Sequence, residues 1–139
     1  MSHENPEARA ARLRDALRQF TGDLERYRHP LNRRVIYTPG VRYLAHEAGA
    51  YWLIDAIASW IGSHHFEAAL RADPALASIH FWRLEVNEDR RALLRAFPDA
   101  EEPPFIEQAI PYSDFPLDSA DIWVGFDGAN WTLYLPSEH

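Results

Sequence analysis

The chain contains no cysteine and no lysine. Without cysteine there are no disulfides, no thiolate nucleophile and no thiolate zinc site, an absence compatible with a reducing cytoplasm. Without lysine, the fourteen basic side chains are all arginine. Glycine is sparse, six in 139 residues, and only Gly125 and Gly128 fall close together, in a hairpin rather than a strand-to-helix turn. A phosphate-cradling loop is therefore not expected. No Gly-x-Ser-x-Gly is present, and Ser59, Ser63, Ser78 and Ser113 lie in ordinary contexts for a nucleophile. His46-Glu47 is followed by Ala50 where a zinc motif needs its second histidine, and the adjacent His64-His65 point apart, so we expect no metal and no cofactor. The opening MSHENPEARAARLRD has no apolar stretch of signal-peptide type. The longest apolar run, Ala48–Ile61, falls short of the roughly twenty residues that cross a bilayer and holds Asp55. A cytoplasmic protein with no membrane segment is the expectation.

Hydrophobic residues make up 47% and aromatic residues 13%, enough for one packed domain over 1–139, with residues 1–5 expected to fray. Net charge is −7, unevenly spread. Residues 1–47 carry nine arginines and six acids, whereas residues 48–139 carry five arginines and fifteen acids. Nucleic-acid binding by the acidic half is disfavoured, since phosphate contact needs cations. Such a face suits a basic partner or imitation of a nucleic acid acting on a defence protein.

Asn5-Pro6-Glu7 reads as a helix start, with Leu13, Ala16, Leu17 and Phe20 at helical spacing and Thr21-Gly22 as its end. Glu25–His29 and Val35–Thr38 are short strand candidates. Thr38-Pro39 repeats the cap-then-proline signature and opens one long helix to Ile61, with Gly49 a kink or close contact inside it. Because this helix is apolar on both sides, it is expected at the centre of the fold. Asp55 then becomes a carboxylate in a costly place. Gly62-Ser63 ends it, and Phe66–Ala72 is a short helix with a further turn at Pro74–Ala77.

From Ile79 the period becomes two. His80, Trp82, Leu84 and Val86 alternate with Ile79, Phe81, Arg83 and Glu85, in a strand expected to be covered on most of both faces. Ile122–Phe126 and Trp131–Leu135 flank Asp127-Gly128-Ala129-Asn130, the clearest hairpin signal. Phe105–Ile110 is a further strand, ended by Pro111. Ala92–Phe97 has both a helix reading, from its caps and its Leu93/Leu94/Phe97 spacing, and a strand reading.

Tyr27-Arg28-His29, the block Tyr37–Ser59, Phe81–Val86, Tyr112–Leu117 and Leu135-Pro136-Ser137-Glu138 together resemble a family of short bacterial proteins, a domain of unknown function often encoded near mobile elements. The resemblance runs in order from about Thr21 onward. It implies a β-meander, which favours the strand at Arg91–Phe97, and it implies no activity. The chain departs from the family pattern at Pro39, where an acid is expected, in the acidic loop Asp99–Pro104, and at His139 in place of an aromatic tyrosine.

The fold expected is α+β: an antiparallel meander packed against a long buried helix, with the first helix outside it. Asp55 is the one candidate for acid–base catalysis, if Tyr27, His29 or Tyr37 reach it from the sheet side. Tyr112 and Phe115 suggest an aromatic loop over the sheet. Trp123, Trp131 and Tyr134 suggest an aromatic patch on its outer face, of the kind enriched at interfaces. With no catalytic set in view, a non-catalytic accessory or protein-binding module, pairing with a protein partner or itself, is the leading expectation. A small enzyme around Asp55 and an acidic nucleic-acid mimic follow it.

Overall fold

The computed structural model describes residues 5–20 and 25–139. Thr21-Gly22 and all but Asn5 of the expected frayed start lie outside them. Helix α1, Pro6–Leu17, begins at Asn5, whose Oδ1 accepts the Ala8 N–H at 2.7 Å. Strands β1 (Tyr27–Arg28) and β2 (Val35–Tyr37) pair antiparallel. Thr38 caps α2, Pro39–Ala48, and Ser63 caps α4, His64–Ala72, each through its hydroxyl. A short 3-10 helix at Pro74–Ala77 leads into β3 (Ile79–Val86). Strands β4 (Ala92–Phe97), β5 (Ile106–Ile110), β6 (Ser119–Phe126) and β7 (Trp131–Tyr134) follow.

The long central helix is two helices. Gly49 adopts φ +62°, and Ala50 N–H donates to Ala45 O at 2.7 Å while Gly49 N–H reaches His46 O. This is a Schellman ending, which satisfies the last carbonyls of α2 and turns the chain before α3, Tyr51–Trp60. The apolar residues of α3 accordingly occupy a new face. Leu53, Ile54, Ile57 and Ala58 are buried, whereas Tyr51, Asp55 and Ser59 form an exposed stripe. Asp55 is therefore not an interior carboxylate; its side chain is 65% exposed.

The sheet has the order β1-β2-β7-β6-β3-β4-β5, antiparallel throughout except between β2 and β7. It is not a simple meander. After β5 the chain crosses back through residues 111–118 to pair β6 with the other side of β3. Arg90, at φ +68°, holds this crossover by donating to Ser113 O and Phe115 O, each at 2.8 Å. Ala92–Phe97 is a strand, in register opposite β3 from Val86↔Ala92 to Phe81↔Phe97.

The four helices lie on one side of the sheet. Trp82, Leu84, Leu94, Ala96, Ile122, Val124, Trp131 and Leu133 point into that side and are buried with Val41, Leu44, Ile54 and Ile57. The other side of β3 is open: Phe81 is partly exposed, and Arg83 and Glu85 are exposed, contrary to the two-sided cover expected. Among the described residues, no helix is long and apolar enough to cross a membrane.

Gly40 and Glu138 join the two ends of this fold. Glu138 accepts from Thr38 Oγ1 at 2.6 Å, from Leu135 N–H at 2.9 Å and from Gly40 N–H at 3.3 Å. A Cβ on Gly40 would stand 2.6 Å from the Glu138 carboxylate oxygen and 2.8 Å from Leu135 Cδ1. Because three hydrogen bonds pin that carboxylate, Gly40→Ala should destabilise the protein by about 1–3 kcal/mol in denaturant titration. An unchanged midpoint would contradict the lock.

His80 is fully buried among Phe66, Phe105 and Trp131. Its Nδ1–H donates to Leu76 O at 3.1 Å, and burial lowers its pKa to about 4. The unfolded imidazole, near 6.5, takes up a proton that the folded one refuses, so stability should fall as pH drops from about 6.5 to about 4. The loss should approach about 3 kcal/mol and level off below that window. Thermal melts across this range should show a shallower slope for His80→Phe than for the parent chain.

Candidate functional site

Two places gather the residues that carry chemistry. At the first, a corner of the fold, the chain leaving β1 turns at Pro30-Leu31-Asn32, and His29 is buried beneath this turn. Its Nδ1 accepts the N–H groups of Leu31 at 3.1 Å and Asn32 at 2.9 Å. That fixes the ring as the Nε2–H tautomer, so Nε2 donates to Asp55 Oδ1 at 2.8 Å. Asn32 completes the tie by donating from Nδ2 to Ala58 O and Ile61 O. The expected meeting of His29 with Asp55 therefore occurs, at the surface rather than in the core.

Tyr27 and Tyr37 stack at 5.7 Å on neighbouring strands, and Arg42 lies 4.5 Å over the Tyr27 ring while donating to its hydroxyl at 3.1 Å. Tyr27 in turn donates to Glu25. Partial burial raises the Tyr37 pKa, and the neighbouring Tyr51 raises it further. Tyr27, His29, Tyr37 and Asp55 are thus assembled, with Arg42 an addition that nothing in its local sequence announces. Yet both lone pairs needed for proton transfer are occupied or absent. His29 Nδ1 serves two backbone amides, and Nε2 already carries its proton. The pair acts as a fastener between the turn and α3.

The second place is the uncovered face of the sheet. Register puts Tyr134 opposite Trp123, Trp123 opposite Phe81 and Phe81 opposite Phe97, so four rings cross four adjacent strands in one row. All four are partly exposed. Phe81 and Trp123 meet edge to face at 5.2 Å, and His139 stacks on Tyr134 at 5.8 Å and stands 5.2 Å from Trp123. The imidazole of His139 thus fills the place of the aromatic ring expected there.

Two residues further along each strand runs a row of charge, Asp121, Arg83, Arg95 and Glu107. Arg83 Nε donates to Asp121 at 2.8 Å, and Arg95 Nε donates to Glu107 at 3.1 Å. The hydrogen bond it donates to Asp121 raises the Arg83 pKa. Beside Tyr134, where Gly125 presents no side chain, the face sinks into a hollow of about 470 Å³ floored by Ile36, Gly125 and Thr132.

The remaining aromatic candidates divide. Tyr112 is 69% exposed on the crossover. Phe115 is completely buried, so it plugs the core. Trp131 is buried too, against Phe66, His80 and Phe126, on the helix side rather than the outer face expected of it. Its register partner Val35 faces the same core. Among the described residues, no group of three histidine or acidic side chains is placed to hold a metal ion.

The fastener reading of Asp55 and His29 makes a graded expectation. Asp55→Ala removes one hydrogen bond from an exposed carboxylate and should cost about 1 kcal/mol. His29→Ala removes a buried ring with three hydrogen bonds and should cost about 3 kcal/mol. Equal losses for the two in urea unfolding would contradict this assignment.

Neither a curated protein nor a solved structure matches the chain. A family model matches residues 11–139, which takes in the Asp55 corner and the whole sheet. The chain belongs to the family of unknown function DUF6876.

Proposed function

We propose that this chain is a non-catalytic cytoplasmic accessory module that works by pairing with a second copy of itself through the uncovered sheet face. The observation that carries this reading is the row Tyr134–Trp123–Phe81–Phe97, four partly exposed rings in register on a face that none of the α-helices α1–α4 covers. Large aromatic side chains left partly in water are the residues that anchor interfaces. The adjacent arginines already have acidic partners, so covering the face strands no unpaired charge.

The size of the face supports a weak dimer. Five strands from β7 to β5, at about 4.8 Å spacing and up to about 26 Å long, offer roughly 500 Å². Stable interfaces bury about 800 Å² per partner, so association should depend on concentration in the micromolar range.

The enzyme reading is less supported, because His29 Nδ1 is committed to two backbone amides and its one proton to Asp55, which leaves the ring no free nitrogen to relay a proton. The mimic reading needs acids along one face. Here Glu88, Asp89, Asp114 and Asp118 fall at one end of the sheet, and Asp99, Glu101, Glu102 and Asp127 at the other.

Light scattering across a concentration series tests the proposal. The parent chain should move from monomer to dimer mass, and Trp123→Glu and Phe81→Glu should remain monomeric with unchanged far-UV circular dichroism. A parent chain that stays monomeric to the solubility limit overturns the reading.

A further inference from the structure

Resting on that self-pairing, we infer that the two copies meet about a two-fold axis running parallel to the strands between β6 and β3. The register alone defines what such an axis superposes. Strands exchange in pairs across it, β6 over the partner copy's β3 and β7 over its β4. In the aromatic row, Trp123 then covers the Phe81 of the second copy, and Tyr134, together with the His139 stacked on it, covers its Phe97. In the charge row, Asp121 covers the second copy's Arg83, and Arg83 covers its Asp121.

Neighbouring axes do worse. One between β3 and β4 sets Arg83 over Arg95 and Asp121 over Glu107, like charge on like charge. One between β4 and β5 crosses Arg95 with Glu107 but carries Trp123 and Tyr134 beyond the sheet edge. The β6/β3 axis alone pairs all four rings and opposes unlike charges. It also lies next to the middle of the seven strands, so it leaves less sheet unopposed than either of those two axes.

Aligned sheets cross at about 30° and stand about 10 Å apart, a gap that two facing layers of aromatic rings fill. The crossing displaces outer strands most. Residues beside the axis keep their opposition, which makes Trp123 with Phe81 and Asp121 with Arg83 the specifying contacts. Each arginine then serves its own chain's aspartate and that of the second copy. An apolar stranger could satisfy the rings but would leave these charges without their second partner, so the charge row selects a copy of this chain.

The test uses the exchanged chain Arg83→Asp/Asp121→Arg, which keeps its internal ion pair and so should fold as the parent does. Across the inferred axis it remains complementary to itself, but it opposes the parent with like charges. Parent and exchanged chains, separately labelled for energy transfer, should each dimerise and should fail to mix, with heterodimer well below its statistical share. The single variants Arg83→Asp and Asp121→Arg should each be monomeric alone and form a heterodimer when combined.

Free mixing of parent and exchanged chains, with both dimeric, overturns the axis while leaving self-pairing intact. A failure of the combined single variants to associate, with each shown to be folded, does the same. A monomeric parent removes both the axis and the reading on which it rests.

Discussion

The parallel pairing of β2 with β7 is the contact on which the arrangement depends. It joins the helical half of the chain to the sheet, and Thr38 N–H extends it by donating to Leu133 O at 3.1 Å. One residue later α2 begins, so the direction of β2 sets where every following helix lands. Glu138 then returns to the head of α2, its carboxylate shared among Thr38, Gly40 and Leu135. A carboxylate at a helix start is favoured by the exposed amides and the helix dipole. The acid expected at position 39 is thus supplied from the far end of the sequence. Proline can stand at 39 because the charge arrives from elsewhere, and glycine is required at 40 because it arrives so closely.

The four α-helices share one side of the sheet and, among the described residues, leave the other side without a helical layer. Burial on the covered side is deep at its centre, with Val35, Leu94, Val124 and Leu133 wholly out of water. The opposite side is neither a polar surface nor a core. It alternates between a row of rings and a row of paired charges, a composition that suits intermittent cover better than permanent burial or permanent exposure. An all-apolar face of that area would risk indiscriminate association; the charges limit which surface can lie against it.

The Asp55 corner shows how a chemically suggestive set can be spent on structure. A histidine, an aspartate and three tyrosines converge with an arginine, yet each polar atom of His29 already has a backbone or carboxylate partner. Through these bonds it ties the turn after β1 to α3. The absence of a motif did not by itself decide between fastener and proton relay. The hydrogen-bond directions favour the fastener, because an imidazole accepting at Nδ1 has only one proton to give, and Asp55 receives it.

Local rules were enough for much of this protein. Asn5, Thr38 and Ser63 cap helices because their side chains reach the first free amides, and the 127–130 turn follows from Gly128 between alternating strands. The period of two named the two faces of β3 and β6 correctly. It could not say which face would be covered, since Trp82 and Trp123 are equally apolar and only the helices distinguish them. Gly49 read as a kink because a 3.6-residue pattern continues past it, whereas the left-handed φ that ends α2 is a property of the folded backbone. With that turn the face of α3 changed, and Asp55 moved from the expected interior to the surface. Sequence alone therefore determined most of the elements, the caps at Asn5 and Thr38 and the α+β class, all set by contacts within a few residues. Tertiary structure decided the sheet order, the exposed face and the fate of Asp55, because each depends on groups brought together from distant parts of the chain.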